Sequence, residues 1–450
     1  MTFRFFIFLL LFSPLVGFAQ QAPNSFSLQE AIDFALENNR KAVNAQWDIE
    51  AAKAQKWETT ATGLPQVSAA VDYQNFLKQQ VQVIPAEFFG GTPGEFTEVV
   101  FGTKQSMNAT ATLSQKIFDG SYLVALQSAK VFLDISKNAK TKTDLEVRKG
   151  VINAYGNVLL AAESVQILQR NLEVLQKNLD ETTKIFENGL EEEESVEQLQ
   201  ITLAGVESNL KNVSRMKTLA HQMLNMTLGL EINRPTVLTD NLERLTQEHI
   251  SLGLLETQAD VENTIDYQIA ENDKISKELL LKLEKSKALP TLNAFINGGY
   301  SAFSDDFTFF DKDQTWFGSS LFGVSLNVPI FSSGMRSAAT QRAKINLEKA
   351  EIDLIDKEQS IQFEIASAKS DYQFAIEDYD NKKQNLRLAE RIEEKNQTKF
   401  FEGISSSFEL RQAQTQLYAA QQEFLQAMLD VINAKAELET ALNTVQLNNQ

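Results

Sequence analysis

Side chains that could do chemistry are few and scattered along this chain. Its 450 residues include two histidines, His221 and His249, and no cysteine, so neither a metal-ligand spacing nor a thiol nucleophile can be assembled from sequence. No glycine-rich phosphate loop is present. Asp305-Asp306 and Asp311-Lys312-Asp313 form the densest cation-binding candidate, but the ordered ligand spacing of a calcium loop is missing, and they read as solvated charge. The acid run Glu191 to Glu194 reads either as a solvated surface or as a local source of negative potential. Serines and carboxylates are plentiful without a recognisable arrangement. The sequence therefore assigns no catalytic residue, metal site or cofactor, and an enzyme is not expected. The net charge of −18 disfavours a nucleic-acid partner, since phosphate contacts need clustered cations, and suits a cation-favouring surface or lumen.

The elements that would position any site occur twice. A helical run ends at Gly63-Leu64-Pro65, and its counterpart at Ala288-Leu289-Pro290. Alternating segments follow and close on Phe118-Asp119-Gly120 and on Pro329-Ile330-Phe331-Ser332-Ser333-Gly334. Each copy then runs as helix to a short break, Asn188-Gly189-Leu190 in one and Glu402-Gly403-Ile404-Ser405 in the other, and returns as a second helix. Such self-similarity, at a spacing of about 214 to 225 residues, implies equivalent units. The first copy spans 20–231, with a helix over about 27–63, strands over 66–77 and 106–118, and long helices over 120–186 and 194–229. The second spans 251–450, with the corresponding elements over 252–287, 291–301, 319–331, 335–400 and 407–444. Residues 232–250 connect them. Pro65, Gly120, Pro290, Pro329 and Gly334 mark the passages between strand and helix, because proline and the residue before it leave the helical region.

The long helices are permitted by what is absent. No proline lies between Pro93 and Pro235 or after Pro329, and Gly403 is the only glycine after Met335. Proline costs about 3 kcal/mol and glycine about 1 kcal/mol in a helix interior. Val151, Tyr155, Val158, Ala162, Val165, Leu168, Leu172, Leu175 and Leu179 step by fours and threes, as do Ile361, Ile365, Ala368, Tyr372, Ala375 and Tyr379, which is a coiled-coil seam. Such helices suit staves of a larger array or a self-contained bundle. Ser27-Leu28-Gln29-Glu30 predicts a capping box at the first helix.

Four runs alternate apolar and polar residues: Val67 to Gln74, Met107 to Ser114, Leu292 to Tyr300 and Phe322 to Val328. A half-buried soluble sheet and a membrane strand around a wet lumen both read this way. Export and the two long aromatic loops, about 77–105 and 302–318, favour the membrane. Because the smallest membrane barrels use about eight strands, four require several chains to pool theirs, which predicts an oligomer. At the N-terminus Arg4, the apolar run Phe5 to Phe12 and the small-residue site Gly17-Phe18-Ala19 predict a signal peptide over 1–19, with no lipid-accepting cysteine after it. No later segment reads as a spanning helix.

Duplicated halves, each with a helix, two strands, a long helix pair and a Tyr/Phe-x-x-Gly turn, resemble the TolC family of outer-membrane efflux proteins. The resemblance covers essentially the whole mature chain. It implies an α+β membrane protein: a homotrimer whose strands make one 12-stranded β-barrel in outer-membrane lipid, joined to a periplasmic α-helical barrel. It implies that the turns Asn188, Gly189, Leu190 and Glu402, Gly403, Ile404, Ser405 dock a periplasmic adaptor protein. It also places Glu409 and Gln412 at the periplasmic aperture, where family members often carry two acids; here the second is a glutamine. The function expected is a passive exit duct served by an inner-membrane transporter of RND, ABC or MFS type. A duct for type I protein secretion is the alternative on the same fold, a structural coiled-coil protein of the envelope is another, and a periplasmic enzyme is the most distant.

Overall fold

The computed structural model of the protein describes residues 25–444, so the expected signal peptide lies outside the described residues. The first copy holds β1 (Ser25–Phe26), α1 (Leu28–Asn38), α2 (Arg40–Ala61), β2 (Gln66–Asn75), β3 (Val81–Pro85), β4 (Phe96–Val100), β5 (Gln105–Asp119), α3 (Gly120–Glu187) and α4 (Glu193–Leu228). The connecting stretch holds β6 (Val237–Leu238) and α5 (Leu242–His249). The second copy holds α6 (Gly253–Glu256), α7 (Ile265–Ser286), β7 (Thr291–Ser304), β8 (Trp316–Asn327), α8 (Met335–Phe401) and α9 (Ser407–Ala441). The chain divides into two compact units. One takes residues through Arg40, Val147–Leu255 and Asp371–Glu437, and the other takes Lys41–Glu146, Glu256–Ser370 and the residues from Leu438.

The second of these units carries an antiparallel four-stranded sheet in the order β2-β5-β7-β8. Alternation sorts its faces: Val67, Val71 and Tyr73 of β2 pair in rows with Leu113, Ala109 and Met107 of β5, and these continue to Ile296, Tyr300 and Ala302 of β7. Among the described residues no strand lies beyond the two outer strands, and every residue of β2 is exposed. Where the sequence suggests loop over 77–105, β3 and β4 form a separate two-stranded hairpin, Val81 opposite Val100 and Pro85 opposite Phe96. β7 extends to Ser304, and β8 starts earlier and stops sooner than its alternation suggests, which leaves Ile330 and Phe331 exposed in the stretch before α8.

The two strand-to-helix passages differ. β5 runs into α3 with no loop, and Asp119 caps the helix, its Oδ1 accepting from the amides of Ser121 (2.9 Å) and Tyr122 (3.3 Å). A side chain at Gly120 would come within 2.7 Å of Leu289 and 3.3 Å of Ser286, so glycine is needed for the approach of the chain near Pro290. In the second copy a seven-residue segment separates β8 from α8, with Ser333 and Gly334 both at positive φ. Arg336 ties this segment down, donating to the carbonyls of Pro329 (2.8 Å) and Ile330 (3.3 Å). Pro65 and Pro290 stand immediately before β2 and β7.

In the other unit, the capping box at Ser27 is present: Glu30 accepts from the Ser27 amide at 2.8 Å, and Ser27 Oγ accepts from the Glu30 amide at 3.4 Å. The single helix expected over 27–63 is broken at Asn39, whose extended backbone separates α1 from α2 and whose amide group donates to the Thr227 carbonyl at 2.6 Å. The connecting stretch is pinned by two tyrosines at matching positions of the copies, both fully buried. Tyr155 donates at 2.9 Å to the Phe26 carbonyl or to Asp240 Oδ2, which also accepts from the Leu28 amide. Tyr372 donates to the His249 carbonyl at 2.6 Å and accepts from the Ser251 amide at 2.8 Å. Burial, and then the neighbouring Asp240 carboxylate, push the Tyr155 phenol well above its usual range, so it remains a donor. The seam residues Val151, Tyr155, Val158, Leu168 and Leu175 are buried, and so are Tyr372 and Tyr379; in the sheet-bearing unit Ile361, Ile365 and Ala368 are buried as well. Contrary to the sequence reading, α3 holds an 18-residue window apolar enough to cross a membrane, with a mean hydropathy of 1.2, but half of that window is buried within the fold.

Candidate functional site: the helix turns and the start of α9

The breaks between the long helices are built alike. At the first, Gly189 adopts φ +72°, its amide donates to the Phe186 carbonyl at 2.8 Å, and the Leu190 amide reaches the Ile185 carbonyl at 3.1 Å. At the second, Gly403 adopts φ +71°, its amide donates to Phe400 at 3.0 Å, and the Ile404 amide reaches Lys399 at 2.8 Å. Both are Schellman turns, which satisfy the last carbonyls of α3 and α8 and need a left-handed residue that glycine adopts without strain. A side chain on either glycine would meet nothing, so conformation alone selects glycine there. The apolar residue after each, Leu190 at 78% exposure and Ile404 at 71%, points into solvent. Asn188 secures the first turn by donating from its side chain to the Lys184 carbonyl at 2.7 Å.

The starts of α4 and α9 touch through a part-buried contact that sequence reading missed. Ser195 at the start of α4 lies 2.9 Å from Ser407 Oγ at the start of α9, and 2.5 Å from the Glu191 carboxylate, which can accept its proton. Glu191 is thus anchored, whereas Glu192, Glu193 and Glu194 are exposed. The first turn of α9 is organised by serines: Ser406 Oγ accepts from the Glu409 amide at 3.4 Å, and Ser405 Oγ donates to Glu409 Oε2 at 2.7 Å. The Ser405 hydroxyl first, and then the backbone of Ser406, hold the Glu409 carboxyl below the usual range, keeping it charged. Glu409 and Gln412 are both exposed, while Leu410, Ala413 and Gln414 are buried, so the two aperture candidates share the solvent face of α9. Glu402 is exposed and Ser405 half-buried.

Behind the turns lies a polar layer that sequence reading did not single out. Ser164, Asn171 and Asn178, seven residues apart along α3, are all buried within the apolar seam. Asn171 donates to Gln421 at 2.9 Å, and Asn178 accepts from Gln397 at 3.1 Å. Gln414 is 1% exposed, and burial raises the carboxyl of Glu393 and the phenol of Tyr418. The available signal was the seven-residue polar repeat, since a polar residue at a seam position fixes helix register. His221 is half-buried, with its pKa lowered by burial and by Lys217, and it touches no second metal ligand; among the described residues no group of metal-binding side chains occurs.

Residues 31–230 and 280–444 match the outer membrane efflux protein family, which takes in both helix turns, the sheet strands and all four long helices. The chain belongs to this family. It is 22% identical over 345 residues to outer membrane protein TolC of Vibrio cholerae serotype O1, an alignment covering 75% of this chain and 77% of that protein. Among solved structures, VceC of Vibrio cholerae superposes with a TM-score of 0.72 at 18% identity, covering 92% of this chain and 95% of VceC. The open state of the Neisseria gonorrhoeae MtrE channel gives 0.70 at 19% identity, covering 92% and 88%. CusC gives 0.73 at 20% identity, covering 92% and 91%. The protein is therefore an outer-membrane efflux protein with the fold of these channels.

Proposed function

We propose that three copies of this chain pool their strands into a 12-stranded barrel and act as a passive exit duct, receiving solutes from an inner-membrane pump through a periplasmic adaptor. The observation that carries this reading is the sheet. Among the described residues neither outer strand has a partner on its outer edge, and the rows holding Val67, Val71, Ile296, Tyr300, Phe322 and Val324 are an exposed apolar band. Open edges in hydrocarbon leave amides and carbonyls unsatisfied, at several kcal/mol each, so closure between chains is the stable solution. In this reading the exposed Leu190 and Ile404 turns are the adaptor-docking tips, and Glu409, flanked by Gln412, rings the aperture. The test is the mass of the detergent-extracted protein together with its conductance in planar bilayers. Three chains per complex and cation-selective conductance are expected. A stable monomer in the absence of detergent contradicts the reading.

A further inference from the structure

At the end of the sheet opposite the β5–α3 junction, the segment 305–315 joins β7 to β8 and folds back over one face. The last row to cross all four strands is Tyr73 of β2, Met107 of β5, Ala302 of β7 and Trp316 of β8, on the face that carries the apolar band. Phe309 is 2% exposed against Met107 and Ala302, with Trp316 packed beside them. Tyr73 meets the rings of Phe307 at 5.5 Å and of Phe309 at 5.9 Å, both edge to face. Polar contacts hold the segment in place: Asp305 Oδ1 accepts from the Lys104 amide at 3.0 Å, and Thr308 Oγ1 donates to Gln314 Oε1 at 2.7 Å and lies 2.9 Å from Ser304 Oγ. Two rings are left in the open on this ordered support, Phe307 at 56% exposure and Phe310 at 81%, their centroids 5.9 Å apart.

Exposed aromatic side chains grouped on a fixed support mark a contact surface. Their position identifies what covers them. Met107 and Ala302 lie on β5 and β7, the two central strands, which are paired on both edges within the chain. A second copy joining at β2 or β8 adds a strand beside the sheet and leaves the apolar face of these strands uncovered. The band below the segment also has the height of hydrocarbon: Leu292 to Ala302 along β7 spans about 33 Å at ~3.3 Å per residue, and roughly 25 Å once the strand is tilted by about 40°. The segment therefore stands where hydrocarbon gives way to head groups. Asp311, Lys312 and Asp313 directly follow Phe310 and are exposed, and their charges stop the segment at that level. Aromatic rings beside charge suit the membrane–water interface.

We infer that the 305–315 segment is an anchor for the lipid surface, with Phe307 and Phe310 inserted among the acyl chains at the rim of the barrel. This rests on the proposed barrel, whose apolar band faces lipid. The segment then lies on the lipid side of the rim and not across the pore.

Site-directed spin labelling tests this, because the chain contains no cysteine. Ile296→Cys, Phe310→Cys and Asp313→Cys are all at exposed positions, so the packing around Phe309 is left intact. Each purified variant is labelled with a nitroxide and reconstituted into phosphatidylcholine vesicles. Collisions with oxygen, which concentrates in hydrocarbon, are compared with collisions with a water-soluble nickel chelate. The ratio of oxygen to nickel collisions at 310 is expected to lie well above that at 313 and below that at 296, in the middle of the band. A ratio at 310 equal to that at 313 overturns the anchor, and so does a label at 310 shielded from both reagents, which would mean that protein covers it. In either case a label at 296 in hydrocarbon leaves the barrel standing. Water contact at 296 overturns the lipid-facing band and the anchor together.

Discussion

The two copies keep the same turn at their helix ends and differ in almost everything around it. Gly189 and Gly403 have nearly equal φ, matching Schellman hydrogen bonds and an exposed apolar residue next in sequence. Yet the first turn leads into four acids, one of them tied to Ser195, whereas the second leads into three serines, two of which orient the single carboxylate Glu409. The strands diverge further: β5 flows directly into α3, while β8 reaches α8 through a segment clamped by Arg336, and the face opposite the apolar band adds Phe295, Phe303 and Phe317 on β7 and β8 to the polar residues it carries on β2 and β5. What the copies share is what closes a helix and pins the connecting stretch. What they do not share is the polar and charged chemistry around those features.

The largest difference between the copies is expected at the C-termini of α4 and α9. α4 ends at Gly229, φ +82°, where a side chain would fall within 2.2 Å of the Asn38 carbonyl; α9 ends near Asn443, φ +51°, a residue tolerated there. Gly229→Ala should therefore cost more than the ~1–2 kcal/mol of left-handed strain, because the backbone of α1 must also move. Asn443→Ala should cost about 1 kcal/mol or less. Thermal unfolding in detergent is expected to show a large loss for the first and a small one for the second; equal losses would mean the copies are equivalent here after all.

The tips come next. A side chain at Gly403 or Gly189 meets no neighbour, so Gly403→Trp and Gly189→Trp should carry only the roughly 1–2 kcal/mol of backbone strain and leave assembly intact. Export of an efflux substrate by cells carrying either variant should nevertheless be abolished. Loss of folded protein in parallel with export would reduce both glycines to helix caps.

The smallest effect concerns charge. Glu409→Gln should weaken cation selectivity and relieve block by multivalent cations, and Gln412→Glu should strengthen both. Ser405 donates to the charged form of Glu409, so Ser405→Ala raises its pKa, and acid should then abolish selectivity at a higher pH than in the unmodified protein. Unchanged selectivity in all three variants would place this face of α9 outside the conducting path.

Much of this architecture is legible in sequence because long glycine- and proline-free runs leave little else possible, and the isolated Gly189 and Gly403 stand out against them. The break at Asn39 is not legible, since its cause is tertiary: a side-chain amide reaching a carbonyl 188 residues away. The β3–β4 hairpin is obscured by Pro85 and by glycines that read as loop. The polar layer at Asn171 and Asn178 escaped a search for apolar periodicity although it has the same period. At the second tip, the serines that orient Glu409 look in sequence like a plain polar linker.

In the proposed trimer the outer edge of one copy, β2, meets the outer edge of the other, β8, on a neighbouring chain. The absence of cysteine makes this directly measurable: one cysteine placed on β2, scanning Ser68 to Asp72, and one on β8, scanning Gly318 to Phe322, can be oxidised without background. Paired side chains on adjacent strands lie about 4.5–5.5 Å apart, close enough to bridge at the correct register. Within one chain β2 and β8 stand at opposite ends of the sheet order and cannot be neighbours unless the sheet closes on itself. Covalent species of two and three chains and none larger are expected on denaturing gels, at one register of the scan. Only monomers at every register, or a ladder running past three, would contradict it.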